Sequence, residues 1–284
     1  IVPFPAGAGP DVVARLLAER LGPQLKESIV VENRPGASGM VGATAVARSP
    51  ADGHTLLLTP NTLFIAPHLT AGDAKPPVDV IADFEPVIMP SQTTMVMVAN
   101  PKLGVKTARE FADLAKKQTI SYASSGNGSV LHIAGALFAS SAGVSMTHVP
   151  YRGIAPAVTD VIAGHVQVTF AGLAPVTQHV NSGALTALAV LDPKRSPSMA
   201  NVPTAIEQGF SDVAVEGWYA VLAPKGTPRD VVQRLNKELN AILASAEAKQ
   251  KIEQTGEVVL GGTPDDLAKR MKADYDRYGE IVRR

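Results

Sequence analysis

Two short stretches of this 284-residue chain hold the residue types and spacings that could do chemistry, and the chemistry is anion capture. Pro5-Ala6-Gly7-Ala8-Gly9-Pro10-Asp11 follows a strand pattern ending at Phe4 and precedes helical spacing at Val12, Leu16, Leu17 and Leu21. Ser124-Ser125-Gly126-Asn127-Gly128-Ser129 follows the strand pattern Ile120–Ala123 and precedes Leu131, Ile133, Ala134, Leu137 and Phe138. A strand, a glycine-rich turn and a helix N-terminus together turn several backbone N–H groups toward one point. Those donors have no intrahelical partner, and the helix dipole adds partial positive charge. In the second stretch three serine hydroxyls and one asparagine amide add side-chain donors. Asp11 reads as serving the first helical turn more than a ligand. For either stretch alone a second reading stands level, since strand-to-helix turns use glycine wherever the chain must reverse.

Other chemistries fail on residue identity. No Gly-Lys-Ser/Thr follows either glycine cluster, which excludes a phosphate loop, and Val12 and Leu131 stand where a dinucleotide fingerprint needs its third glycine. Leu131 also occupies the place of the last glycine in a Gly-x-Ser-x-Gly elbow, so Ser129 does not read as a hydrolase nucleophile. The chain has no cysteine, and none of its six histidines pairs with another at the i+3 or i+4 spacing of a helical metal site. They read as structural, with His132, one turn into the second helix, the one to watch. The expected site therefore has no catalytic residue, no metal and no cofactor. Arg34, close to the turn Asn33-Arg34-Pro35-Gly36, reads as a brace for the first lobe, and Trp218, the single tryptophan, as core or hinge packing.

The elements that must position these loops alternate along the chain. Strand patterns fall at Ile29–Glu32, Thr55–Leu58, Phe84–Met89, Met95–Ala99, Ile120–Ala123, Met146–Val149, Val166–Phe170, Leu185–Leu191 and Trp218–Ala223, with helical periods between them. Thr107-Ala108-Arg109-Glu110 is a capping-box start for a helix to about Lys117, and Thr227-Pro228 and Thr263-Pro264 open two further helices. Such alternation predicts an α/β fold with mainly parallel sheets. Crossings near Val98–Pro101 and Tyr219–Pro224 predict two lobes: residues 1–99 with 220–284, and residues 100–219. Two crossover strands would then form a hinge, and the two glycine loops would belong to opposite lobes.

Length suits two domains, and 45% apolar residues supply both cores. Balanced charge, 26 basic against 26 acidic residues, argues against a nucleic-acid partner. No run approaches the roughly 20 apolar residues of a spanning helix, so no membrane insertion is expected and the chain reads as soluble. It opens on Ile1-Val2-Pro3-Phe4, in mid-strand by pattern, and reads as a mature chain whose leader has been removed.

From end to end the motifs resemble the Bug-type receptors of tripartite tricarboxylate transporters. Pro3-Phe4-Pro5-Ala6-Gly7 with Asp11 resembles the family's first ligand loop, and Val30–Gly39 its most recognisable stretch. Asp52–Leu57, Tyr122–Ser129, Val149–Gly153, Lys194–Pro197 and Val202–Thr204 follow in register. The resemblance implies a periplasmic solute-binding receptor of two-lobed Venus-flytrap fold, acting as a monomer, that delivers a small carboxylate to a membrane permease. The ligand set it implies is Phe4, Ala6, Gly7, Ala8, Gly9, Asp11, Ser124, Gly126, Asn127, Gly128, Ser129 and Tyr151, with Ala171 and Gly172 closing the pocket floor after strand Val166–Phe170. Ala8 and Pro10 depart from the family's glycine and hydroxyl residue. Ala171-Gly172 offers no acid where relatives often have one, so the implied ligand lacks a free amine: a dicarboxylate, a tricarboxylate or an aromatic acid.

Two other functions remain open at this point. A Rossmann-like enzyme acting on a carboxylate or phosphorylated substrate would need a cofactor fingerprint or a poised acid/base pair, and neither is visible. A sensor docking on a signalling partner would carry the same sequence.

Overall fold

The computed structural model describes residues 1–69, 76–254 and 256–283. It divides into two compact units, Ile1–Gln92 with Trp218–Arg284, and Thr93–Gly217. The crossings therefore fall at 92/93 and 217/218, where the sequence pattern placed them at 99/100 and 219/220. The first crossing moves because Met95–Ala99 pairs throughout its length inside the second unit.

In chain order the first unit opens with α1 (Gly9–Leu25), α2 (Met40–Ala47), β1 (Leu57–Pro60), α3 (Thr62–Ile65), β2 (Phe84–Ile88) and β3 (Ser91–Thr93). The second unit holds β4 (Met95–Ala99), α4 (Ala108–Ala115), β5 (Ile120–Ser124), α5 (Val130–Ala142), β6 (Met146–Pro150), α6 (Ile154–Ala163), β7 (Val168–Gly172), α7 (Ala174–Asn181) and β8 (Thr186–Val190). The chain returns through β9 (Gly217–Pro224) to α8 (Arg229–Leu243), α9 (Ala246–Gln254), β10 (Glu257–Val259) and α10 (Pro264–Arg283).

Strand β9 organises the first unit. All eight of its residues are buried, as befits a strand covered on both faces. Tyr219, Val221 and Ala223 pack with Val13, Leu16, Leu17 and Leu21 of α1 and with Val232, Leu235 and Leu239 of α8. The alternate residues Trp218, Ala220 and Leu222 pack on the other face with Phe64, Leu57, Leu267 and Met271. Trp218 is a core residue: it stacks on Phe64 at 5.4 Å, and its indole N–H donates to Asp274 Oδ2 at 2.7 Å. Both β1 and β2 run antiparallel to β9.

The second unit's sheet has the order β6-β5-β7-β4-β8. β5 lies parallel to β6 and β7, whereas β4 is antiparallel to β7 and β8. The second sheet is thus mixed, and β9 pairs antiparallel with β1 and β2 in the first, against the expectation of mainly parallel pairing. β4 and β9 are the strands on which the chain enters each unit anew, so no right-handed βαβ crossover fixes their direction.

Local chemistry explains the helix starts. Thr107 caps α4 by accepting Glu110 N–H at 3.1 Å, and Thr263 caps α10 while Asp266 Oδ2 takes the Thr263 N–H at 3.0 Å. α8 begins one residue beyond the Pro228 start read from the sequence, because Pro228 is itself the cap and Thr227 donates its hydroxyl to Pro224 O. Ile29–Glu32 is not a strand; Glu32 O accepts the Val2 N–H at 2.8 Å beside the isolated parallel bridge between Val2 and Asn33.

Candidate functional site

The first loop is shaped from beneath by Asp11. This aspartate is buried at the start of α1, and its Oδ2 accepts the Gly7 N–H at 2.8 Å and Arg15 Nε at 3.0 Å. Its Oδ1 accepts Asn33 Nδ2 at 2.8 Å, and the same Asn33 amide reaches Phe4 O at 3.0 Å. Burial pushes the Asp11 carboxyl up, but the hydrogen bonds from Arg15, Gly7 and Asn33 outweigh it and hold the group below the usual aspartate value. Gly7 turns with φ of 81°, a conformation that favours glycine, whereas Ala8 is extended at φ of −70°. Ala8 is therefore no obstacle to the turn, and Pro10 sits in the first helical turn where its missing N–H costs nothing.

The loop's amides divide into two sets. Gly7 N–H is spent on Asp11 and Ala8 N–H on Pro5 O at 3.2 Å. Among the described residues no protein acceptor takes the amides of Ala6 and Gly9. They lie unpaired at the positive end of α1.

The second loop repeats the scheme with different side chains. Ser124 is fully buried at the end of β5, and its Oγ accepts Gly126 N–H at 3.1 Å and lies 2.7 Å from His148 Nε2. Ser129 caps α5, accepting His132 N–H at 3.2 Å and donating to Gly126 O at 2.8 Å. His132 Nδ1 accepts the Gly128 N–H at 3.2 Å, which places the proton of the neutral ring on Nε2. The rings of His132 and His148 stack at 4.0 Å. Burial, with the charge of His132 adding, pulls His148 down to about 4, and burial lowers His132 as well. Gly126 and Gly128 take φ of 130° and 74°. The amides of Gly126, Gly128, Ser129 and His132 are thus used in shaping, while those of Ser125 and Asn127 have no protein acceptor among the described residues.

The Ser124–His148 distance is that of a nucleophile and its base. Ser124 has no exposed surface, however, and its hydroxyl is engaged with Gly126, so the pair braces the loop. Tyr151 continues this unit's framework: its N–H donates to Ser124 O at 3.0 Å and its hydroxyl to Asp160 Oδ2 at 2.6 Å. Ala171 and Gly172 lie within β7 and not in a loop after it, and Ala171 is buried in the core beside Val96 and Val190.

The residues expected at the site thus assemble as two groups, each inside its own unit. Phe4, Ala6, Gly7, Ala8, Gly9 and Asp11 form one; Ser124, Gly126, Asn127, Gly128, Ser129 and Tyr151 form the other, with Ala171 and Gly172 on the adjoining strand. Arg34 does not brace the first lobe through its side chain, which pairs with Glu32 at 2.7 Å on the surface; the neighbouring Asn33 does that work. Sequence reasoning missed Ser125, Asn33 and His148. His148 faces Tyr122 in the β5–β6 register, a pairing that spacing alone does not reveal. Among the described residues no group of three or more His, Cys, Asp or Glu is placed to hold a metal ion.

Against known proteins, residues 13–284 match the model of the tripartite tricarboxylate transporter family receptor. Protein BugT of Bordetella pertussis is 35% identical over 285 residues, covering 100% of this chain and 87% of BugT. The solved periplasmic binding protein BugD superposes with a TM-score of 0.86 at 35% identity, over 99% of this chain and 95% of its own. Rpa4515 of R. palustris, solved with adipate, superposes with a TM-score of 0.88 at 31% identity, over 99% of this chain and 95% of its own. The α/β architecture is accordingly the two-lobed periplasmic-binding-protein fold. With family model, relatives and fold in agreement, the chain belongs to the receptors of the tripartite tricarboxylate transporter family.

Proposed function

We propose that this receptor captures a small carboxylate without a free amine, with the open amides of Ala6 and Gly9 in one unit and of Ser125 and Asn127 in the other as its anion-binding donors, and hands it to a membrane permease. The observation that carries the reading is the division of amides in both loops. Each loop spends some N–H groups on its own shape and leaves others unpaired at a helix N-terminus. Anions are the ligands such donors suit. The adipate of Rpa4515, a protein similar over nearly the whole chain, supports the dicarboxylate class. The remaining residues of the expected set, Phe4, Gly7, Ala8, Asp11, Ser124, Gly126, Gly128, Ser129, Tyr151, Ala171 and Gly172, then act mainly by shaping the two loops. Capture followed by delivery needs no chemical step, so the protein is a carrier and not an enzyme. Its place is the periplasm, as a monomer.

The test is thermal unfolding against a panel of adipate, succinate, malate, citrate, benzoate and glutamate, with Trp218 fluorescence read alongside. A ligand at one hundred times its Kd stabilises the folded state by about 2.7 kcal/mol. That is a rise in Tm of roughly 5–10 °C for a chain of this size. A rise with one chemical group of acids and no turnover is the expected result. A rise with glutamate alone, or with none of the acids after refolding from denaturant, would overturn the proposal.

A further inference from the structure

We propose that Glu257 is a positioning residue of the first loop, taking up a proton as an anionic ligand settles on the open amides of Ala6 and Gly9. The inference rests on the carboxylate reading above and concerns a residue outside both loops.

The geometry is a buried polar stack under the start of α1. A Cβ at Gly9 would overlap the Tyr219 hydroxyl and come 3.7 Å from Glu257 Oε1. The Tyr219 hydroxyl donates to Glu257 Oε1 at 3.0 Å, so the loop rests on the tyrosine and the tyrosine on the acid. Glu257 is only 6% exposed; its Oε2 and the fully buried Ser91 hydroxyl make no hydrogen bond of good geometry, although the hydroxyl lies near enough to favour the charged acid. An unpartnered carboxylate oxygen in such a place is costly, whereas the acid form is far cheaper to bury. Burial raises the Glu257 carboxyl to about 7, with the neighbouring hydroxyls of Tyr219 and Ser91 opposing it. Tyr219 itself is held well above its ordinary value by burial and by the Glu257 charge, so it stays a donor.

Among the described residues no cation pairs with the acid from the packed elements. β9 contributes Tyr219 and β3 contributes Ser91. On α9, Glu247 pairs with Arg20 and Lys251, and Lys249 with Glu253. On α1, Asp11 is tied to Gly7, Arg15 and Asn33. A ligand carboxylate seated at Gly9 therefore adds a second negative charge beside Glu257, and like charges at short range favour protonation of the weaker acid. Linkage then requires proton uptake on binding, and capture tighter below neutrality than above it.

The test is isothermal titration of the whole receptor with adipate, succinate, malate and citrate at pH 6 and pH 8, in two buffers of different ionisation enthalpy. The expected result is affinity weaker by roughly fivefold at pH 8, with fractional proton uptake near pH 7. Glu257→Gln should bind as the wild type does at pH 6 and lose both the slope and the uptake. A slope retained in Glu257→Gln, or wild-type binding that is independent of pH without proton exchange, overturns the inference and leaves the carboxylate reading standing. Absence of binding by all four acids fells the carboxylate reading and the inference with it. Should the variant fail to fold, carboxyl-13C glutamate in the wild type decides: one resonance must titrate near neutrality and move to higher pH with the bound acid, and its absence overturns the inference.

Discussion

Gly9→Ala isolates the contact between the first loop and its support. Gly9 has no positive φ, so alanine meets no backbone strain there, and at the start of α1 its helix propensity exceeds that of glycine. On those grounds alone the substitution is neutral or favourable. Sterics reverse the sign, because the new methyl overlaps the Tyr219 hydroxyl. Relief requires either a shift of α1 off the sheet or loss of the Tyr219–Glu257 hydrogen bond. Overpacking costs about 1–3 kcal/mol, and a buried carboxyl left without its donor about 1–3 kcal/mol more. Where both occur, a destabilisation of about 2–6 kcal/mol is expected, read from urea unfolding at pH 7.

The same contact supplies its own control. In Tyr219→Phe the overlapping oxygen is gone, and the nearest ring atom, Cζ, lies 3.5 Å from the added methyl, an ordinary contact. Gly9→Ala in that background should cost less than about 1 kcal/mol, giving a coupling of roughly 2 kcal/mol or more in the double-mutant cycle. A neutral Gly9→Ala in the wild type would refute the reasoning. So would a cost that persists undiminished when the hydroxyl is absent, since it would place the strain elsewhere.

Asp11→Asn leaves no full acceptor set for Gly7, Arg15 and Asn33, so it should destabilise by about 2 kcal/mol at pH 7 and weaken carboxylate capture. Because the Asp11 carboxyl lies below its ordinary value when folded, its contribution is complete above the unfolded pKa and lost as pH falls; urea midpoints at pH 7 and pH 3 should therefore converge between variant and wild type. Asp192 runs the other way. Burial lifts it to about 7, with Glu216 adding and the bonds from Met95 and Thr94 opposing, so its stability cost grows from the unfolded pKa up to about pH 7. Asp192→Asn should stabilise by up to about 4 kcal/mol at pH 8 and by nothing at pH 4; equal gains at both would disprove the assignment. Burial lowers both stacked histidines, His148 to about 4, so the stability they support is full above the unfolded pKa and declines as pH falls through their lowered folded values. Long-range 1H–15N spectra should show the His148 imidazole still neutral at pH 5.5 and His132 protonating below its ordinary pH, and ordinary titration of both would count against the pair.

What the sequence revealed was governed by how local each signal is. The loops were legible because glycine, serine and a following helical period occur within ten residues of one another. β4 was legible to the residue, Met95–Ala99, because both its faces are apolar. Ile29–Glu32 carries the same apolar signal without a partner strand, and a strand exists only by pairing. β3 and β10 are three residues each, too short for any period to register. Strand direction and the supports of the loops were hidden for a stronger reason. Asn33 reaches Asp11 across 22 positions, His148 reaches Ser124 across 24, and Glu257 reaches Tyr219 across 38. Such contacts follow from topology, which the chain's local pattern does not encode.

Those distant supports change what a glycine-rich anion loop means. Glycine permits the turn, but it does not decide which amides stay open. In the first loop the choice falls to Asp11, which removes Gly7 N–H from the ligand's reach; in the second it falls to Ser124 and His132, which remove those of Gly126 and Gly128. One acceptor is charged and sits inside the unit's own ion-pair network, while the others are neutral groups whose protonation state matters. An imidazolium at His132 could no longer accept from Gly128, so acid should loosen the second loop while leaving Asp11 ionised over most of the same range. Two loops that look alike in sequence therefore answer differently to pH. The asymmetry arises from the side chains that shape each loop.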